Sequence, residues 1–138
     1  MANYIAVSRT NYFRVTDEEK YKELFEMLTS EDTIEDFTET GTDGTIYHGF
    51  GCYGDVEYYD EESDEFDFDE WLSRLQKILP DDEAFILESS GHEKLRYVTG
   101  WVVVVTRKEI VSMSCDAWAK KKAKELLGQD FETKTEYW

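Results

Sequence analysis

The sequence has no lysine or arginine in residues 23–73, a stretch of 51 residues that contains 18 aspartates and glutamates. The net charge of the whole chain is −17, so the other 87 residues sum to a charge of only +1. The negative charge is therefore local. Concentrated like charge costs folding free energy, which favours a cationic partner and a binding function over catalysis. The lack of a basic face argues against direct binding to nucleic acid.

Proline, cysteine and long apolar runs are also scarce. One proline and the absence of a Ser/Gly/Pro-rich stretch leave no evident linker, so we expect residues 1–138 to form a single domain. With only Cys52 and Cys115, and no basic and apolar leader at the N-terminus, we expect reduced thiols and a cytoplasmic protein. The longest apolar run, residues 101–105, is too short to span a membrane.

Hydrophobic periodicity predicts an α+β fold, in which a mixed, mostly antiparallel sheet packs against two or three amphipathic helices. Residues 16–19 have the pattern of a capping box with Thr16 as the cap. The apolar stripe of the first helix is Tyr21, Leu24, Phe25 and Leu28. Asp67 is the predicted cap of the second helix, which Pro80 ends, and its stripe is Phe68, Trp71, Leu72, Leu75 and Ile78. Asp116 is the predicted cap of a third helix, which ends at Gly128.

Strands are predicted at residues 3–7, 11–15, 33–40, 45–53, 84–88, 95–105 and 110–115. Asp43-Gly44 and Arg107-Lys108 are the expected hairpin turns. Residues 102–105 are all valine, which predicts a central strand buried on both faces. Residues 129–138 form a tail that ends on Tyr137-Trp138.

Two motifs suggest chemistry, and neither has the context that the chemistry requires. Residues 49–54 match the glycine pattern of a phosphate-binding loop, but an acidic, strand-like segment follows where the phosphate would need a helix N-terminus. Strand or bulge glycines are the better interpretation. His48, Cys52, His92 and Cys115 lack the tight pair spacing of zinc ligands. The sequence predicts no enzyme, no metal site and no cofactor.

The acidic segment, residues 55–70, has ten carboxylates in sixteen residues. A plain solvated face is one interpretation, and a mimic of nucleic acid is the other, because alternate carboxylates along a strand lie about 6.6 Å apart. Halophilic adaptation would also deplete lysine elsewhere, which is not observed. The predicted partner-binding residues are Asp55, Glu57, Tyr58, Tyr59, Asp60, Glu61, Glu62, Asp64, Glu65 and Asp67. A second acidic row is predicted from Glu31, Asp32, Glu35, Asp36 and Glu39.

Residues 9–15 (RTNYFRV), 79–85 (LPDDEAF) and 93–100 (EKLRYVTG) resemble stretches of small acidic proteins carried by phages and conjugative elements of Firmicutes. Some of those proteins are encoded beside anti-restriction or anti-CRISPR genes. In size and charge the chain is also similar to inhibitors that occupy the DNA channel of a nuclease. The resemblance implies an anti-defence protein in the cytoplasm of a bacterial host.

The sequence thus predicts a non-enzymatic inhibitor that presents its acidic face to the DNA site of a defence nuclease. A CRISPR–Cas effector such as Cas9 is the first expected target and a restriction enzyme the second. One alternative is a regulatory or scaffold module that docks a basic protein partner. Another is a small-ligand-binding α+β domain with its pocket near Gly49, Gly54 and His48. Neither a membrane nor nucleic acid is an expected partner, and the oligomeric state stays open.

Overall fold

The computed structural model describes residues 4–58 and 67–136. The described chain is α+β, as predicted, with three helices and a large antiparallel sheet. Its helices are α1 (Glu18–Glu26), α2 (Phe68–Gln76) and α3 (Cys115–Leu127). Its strands are β1 (Tyr4–Thr10), β2 (Leu28–Thr29), β3 (Glu35–Asp36), β4 (Glu39–Thr40), β5 (Ile46–Tyr47), β6 (Phe50–Tyr53), β7 (Glu57–Tyr58), β8 (Ala84–Glu93), β9 (Tyr97–Thr106) and β10 (Ile110–Ser114).

Six strands form the main sheet in the order β10-β9-β8-β1-β6-β3, and every neighbouring pair is antiparallel. Two separate two-stranded ribbons, β2-β7 and β4-β5, lie outside it. The long β8-β9 and β9-β10 hairpins are local in sequence. In contrast, β1 pairs with both β6 and β8, so the N-terminal strand joins the two halves of the chain.

One face of the sheet, the inner face, carries the core. Burial alternates along β1, where Ala6 and Ser8 are buried while Ile5 and Val7 are exposed. The apolar side chains of α1 and α2 pack into this core. Trp71 of α2 is fully buried there, beside aromatic rings of the sheet. The opposite, outer face is partly open to solvent, and no residue of α3 is buried. No helix in the described residues is long and apolar enough to cross a membrane.

Several predicted elements are confirmed. Asp67 caps α2, because its side chain accepts hydrogen bonds from the backbone N–H groups of Asp69 and Glu70. The Asp43-Gly44 turn joins β4 to β5, and Gly44 has the positive φ of 87° that such a turn requires. The turn after Thr106 connects β9 to β10 as expected.

Several predictions about local structure are wrong. The cap of α3 is Ser114, whose hydroxyl accepts from the Ala117 N–H, and the predicted cap Asp116 lies in the first turn of the helix, where it pairs with Lys120. The cap of α1 is Asp17, whose side chain accepts from the Lys20 N–H, while the Thr16 hydroxyl donates to the Ile78 carbonyl. Residues 11–15 form no strand beyond a single bridge between Phe13 and His48, because β1 continues through Thr10 instead of turning. The valines at 102–105 alternate, with Val103 and Val105 in the core and the other two only half-buried.

Candidate partner-binding surface

Two acidic segments that are distant in sequence meet at the bend between β6 and β7. The seven carboxylates that they contribute are called the acidic surface: Glu31, Asp32, Glu35, Asp36, Glu39, Asp55 and Glu57. The meeting point is Gly54, where a Cβ atom would lie 3.7 Å from the Cβ of Glu31. The β2-β7 ladder fixes the same contact from the other side by pairing Thr29 with Glu57. The two predicted acidic rows are therefore adjacent.

Gly54 makes this arrangement sterically accessible. Its φ of 119° lies in the region that side chains rarely adopt, so the chain can leave β6 and turn sharply toward β2. Its backbone N–H donates to the Ala6 carbonyl, and its carbonyl accepts from the Ser8 hydroxyl, so the bend is tied to β1. Asp55 follows immediately and is thereby placed beside Glu31.

The predicted regular spacing of Asp55 and Glu57 along one strand is wrong. Asp55 lies in the bend before β7, is only half exposed, and accepts a hydrogen bond from the Ser89 hydroxyl at 3.1 Å. Glu57 is exposed on β7. The acidic surface is therefore a cluster around a turn and not a ladder of evenly spaced carboxylates.

The remaining members follow the edge of the sheet. Glu35 and Asp36 are exposed on β3, which is the edge strand beside β6. Glu39 is exposed on the β4-β5 ribbon, opposite Tyr47. Asp36 accepts hydrogen bonds from the N–H and hydroxyl of Thr38, at 2.9 and 2.5 Å. The carboxylates thus extend from the bend at Gly54 along β3 toward the ribbon.

No cation neutralises the acidic surface within the described residues. All ion pairs recorded there lie elsewhere, at Arg14 with Asp82 and Glu83, His48 with Glu18, Arg74 with Glu70, Arg96 with Glu93, Lys120 with Asp116 and Lys122 with Glu125. Arg9, on β1 of the same sheet, has its guanidinium over the ring of Phe37, 4.8 Å from the centroid. The carboxylates are left to interact with solvent or with a partner.

The acidic side chains also affect the ionisation of the buried Cys52 thiol. Burial, and after it the charges of Asp55 and Asp32, raise the pKa of the Cys52 thiol. A thiolate is the reactive form of cysteine, so Cys52 is poorly suited to nucleophilic chemistry.

Cys52 is buried and Cys115 is exposed, and this difference in burial predicts how fast each thiol reacts. Near neutral pH we expect a disulfide reagent such as DTNB to label the exposed Cys115 rapidly and the buried Cys52 at least about tenfold more slowly. The Cys115→Ser variant should lose the fast phase, and the Cys52→Ser variant the slow phase. Equal rates for both thiols would contradict the placement of Cys52.

The prediction that Tyr58 contacts a partner is wrong. Its side chain is only 1 % exposed and packs in the core, so it cannot contact a partner. Tyr53, at 67 % exposed, is the aromatic side chain that borders the acidic surface. Alternation along β6 provides the signal, since Phe50 and Cys52 point inward and Tyr53 must point outward.

Asp67 has a local structural role, because its exposed carboxylate is the cap of α2. Six further predicted residues lie outside the described part of the chain: Tyr59, Asp60, Glu61, Glu62, Asp64 and Glu65. Their assignment to partner binding remains a prediction from the sequence.

The glycine motif at residues 49–54 is packed against the chain itself. A Cβ on Gly51 would lie 2.9 Å from the Ser8 carbonyl oxygen, and one on Gly49 would lie 3.3 Å from the ring of Tyr12. The motif is followed by β7 and not by a helix. These contacts show that Gly49 and Gly51 allow close packing of this segment against residues 8–12.

His48, the other feature of the predicted pocket, is buried in a polar network. Its Nε2 lies 2.6 Å from Glu18 Oε2, and its Nδ1 lies 3.3 Å from the Thr38 hydroxyl. The Tyr21 ring is 4.1 Å away, and burial, followed by the charges of Asp36 and Glu18, raises the pKa of Tyr21. The network joins α1 to the β3-β4 region. No group of three or more metal-binding side chains is found within residues 4–58 and 67–136.

Comparisons with known proteins return no relative. No protein-family model matches the chain, no curated protein matches its sequence, and no solved structure matches its fold.

Proposed function

We propose that the chain is a non-enzymatic inhibitor that binds the cationic DNA site of a defence nuclease through its acidic surface. The single observation that carries the proposal is the junction at Gly54, where two acidic segments meet without a neutralising cation in the described residues. Like charges held this close repel one another in the free protein. A lysine- and arginine-rich site would relieve that repulsion on binding.

The charge distribution favours a DNA-binding protein as the partner. A nuclease channel that holds duplex DNA faces about one negative charge per 1.7 Å of helix axis, and its basic side chains are arranged for that density. Exposed Tyr53 at the border of the acidic surface supplies contact area that charge alone does not. The resemblance to proteins of mobile elements favours a defence nuclease in a bacterial cytoplasm, with a CRISPR–Cas effector first and a restriction enzyme second.

The proposal is tested by order of addition in a DNA-cleavage assay. Purified effectors of both classes are incubated with the protein before or after the duplex substrate. We expect inhibition when the protein is added first, and weaker inhibition when DNA already occupies the site. We also expect the inhibition to decline as salt rises, because both molecules use the same charged contacts.

Two outcomes would contradict the proposal. Inhibition that is indifferent to DNA and to salt would indicate binding away from the DNA site. The absence of inhibition, combined with binding to a basic protein without nuclease activity, would favour the scaffold alternative.

A further inference from the structure

The strand β10 is an open edge of the main sheet. It pairs with β9 on one side, and within residues 4–58 and 67–136 no strand pairs with its other side. Within the described residues, the backbone N–H and C=O groups of Ile110–Ser114 make no hydrogen bonds to turns, loops or helix caps. The residues at 110–113 are all exposed, with Val111 at 54 % and Met113 at 46 %. The outer side of β10 is therefore accessible to another strand.

This edge carries none of the usual protection. Natural edge strands are shortened, charged, broken by proline or a bulge, or covered by another element. β10 has five residues, Ile-Val-Ser-Met-Ser, with no charge, proline or glycine, and its pairing with β9 is regular. By comparison, β3 at the other edge has two residues, both acidic.

The helix that follows β10 does not cover the edge. Cys115, its first residue, lies over Gly100, with Sγ 2.9 Å from where a Cβ would be. Gly100 alternates with Trp101, which packs against the core, so α3 starts on the outer face of the sheet. Val111 and Met113 pair with Val104 and Val102, so they point to this same outer face, and their exposure shows that α3 does not cover them.

We infer that β10 pairs antiparallel with β10 of a second copy of this chain, with Ser112 on the two-fold axis. This register aligns all five residues of both strands and places Val111 opposite Met113 of the other copy. The strand is thus complementary to itself, as a two-fold interface requires.

The acidity of the chain does not oppose this pairing. The acidic surface lies at the β3 edge, five strand spacings from β10, which is about 24 Å. The joined sheet would place the two acidic surfaces at its far ends, where both stay free for a partner. Both α3 helices would lie on the same face of the joined sheet, and the exposed Trp118 and Leu126 are available to extend the apolar contact.

Sedimentation velocity measures the assembly directly. We expect the wild-type protein at tens of micromolar to sediment at about twice its chain mass of 16.3 kDa. The double variant Val111→Lys and Met113→Lys should shift to the mass of one chain, because it places like charges opposite each other across the axis. The matched control is Ile5→Lys and Val98→Lys, which adds the same charge to exposed apolar sites of the same sheet and should stay dimeric.

A crosslink tests the register without destabilising the edge. In a Cys115→Ser background, Ser112→Cys should form an intermolecular disulfide under mild oxidation, since residues that face each other across the axis are within bridging distance. Ile110→Cys in the same background should not, because the two copies of residue 110 would be about 14 Å apart. Cys52 is buried and does not compete.

Three results would overturn the inference. The first is a wild-type protein that stays monomeric. The second is a dimer that survives the Val111 and Met113 substitutions but is lost with the Ile5 and Val98 control. The third is crosslinking at residue 110 that is as efficient as at residue 112. The inference does not depend on the proposed function, since none of these measurements requires the nuclease.

Discussion

Replacing Glu31, Glu35 and Glu57 by lysine is expected to abolish competition with DNA for the nuclease. The three side chains are exposed, have no hydrogen bond or ion pair within the described residues, and converge from β3, β7 and the loop before β3. Close charge pairs across protein interfaces contribute 1.5 kcal/mol or more each. We therefore expect affinity to fall by at least about a hundredfold, equivalent to about 3 kcal/mol.

The same triple variant should be more stable than the wild-type protein. Removing like charges from a crowded surface relieves repulsion in the folded state, so the free energy of unfolding should rise by about 0.5–1 kcal/mol. Urea denaturation at low salt measures this change without a partner. The control variant replaces the exposed Asp81, Asp130 and Glu132 by lysine, which changes the net charge equally but away from the acidic surface.

The control should keep its affinity within a few-fold of wild type. If both triple variants lose binding equally, net charge and not the acidic surface is responsible. If the triple variant of the acidic surface folds and still competes with DNA, the acidic surface is not the binding site.

The second large effect concerns Trp71, a side chain of α2 that connects α1 and α2 to the sheet. It is 0 % exposed, its indole N–H donates to the Leu24 carbonyl at 2.9 Å, and its ring lies beside Phe50, Phe68 and Phe85. Trp71→Ala removes the largest of the fully buried side chains and leaves a cavity. We expect the free energy of unfolding to fall by about 3–5 kcal/mol, a large fraction of the roughly 5–15 kcal/mol that stabilises an ordinary domain.

Urea denaturation followed by circular dichroism checks this expectation. Trp71→Phe serves as the control, since it keeps an aromatic ring in the core but loses the hydrogen bond to the Leu24 carbonyl. That carbonyl also accepts from the Met27 N–H, so it keeps one partner and the loss should be clearly smaller than for alanine. A loss of less than about 1 kcal/mol for Trp71→Ala would contradict the central place of Trp71 in the core.

The features of the fold that depend on neighbouring residues could be predicted from the sequence. Most of the apolar stripes of α1 and α2, the Asp67 cap and the two hairpin turns follow from helical spacing and turn chemistry, which act within a few residues. Two predicted stripe residues lie outside the helices, because Leu28 belongs to β2 and Ile78 follows the end of α2. The order of the sheet could not be predicted. Pairing of β1 with β6 and β8 joins residues more than forty positions apart, and periodicity carries no information on such contacts.

The errors have equally specific causes. Asp17 replaces Thr16 as the cap because the Thr16 hydroxyl is used by the Ile78 carbonyl, a tertiary contact that local pattern cannot reveal. Tyr58 was predicted to face a partner although period-two alternation places it on the same side as Val56, which is also buried. In that case the information was present in the sequence.

The sequence reveals which residues make up the acidic surface, but it does not reveal how the fold arranges them in space. The absence of lysine and arginine from residues 23–73 identifies where the charge lies. That Glu31 and Asp55 become neighbours depends on the positive φ of Gly54 and on the pairing of β2 with β7. A glycine in a glycine-rich stretch does not indicate by itself which backbone conformation it adopts. Strands of two residues, such as β2 and β7, are too short to be predicted from a sequence pattern.

The most direct measurement of the central claim is capture of the partner from a nuclease-treated bacterial lysate that contains CRISPR and restriction systems. Immobilised wild-type protein and the Glu31, Glu35 and Glu57 triple variant are compared, duplex DNA is used for elution, and the proteins released are identified by mass spectrometry. We expect a nuclease that binds the wild-type protein, is released by duplex DNA, and is absent from the triple variant. A partner that both proteins retain in the presence of duplex DNA would contradict the central claim.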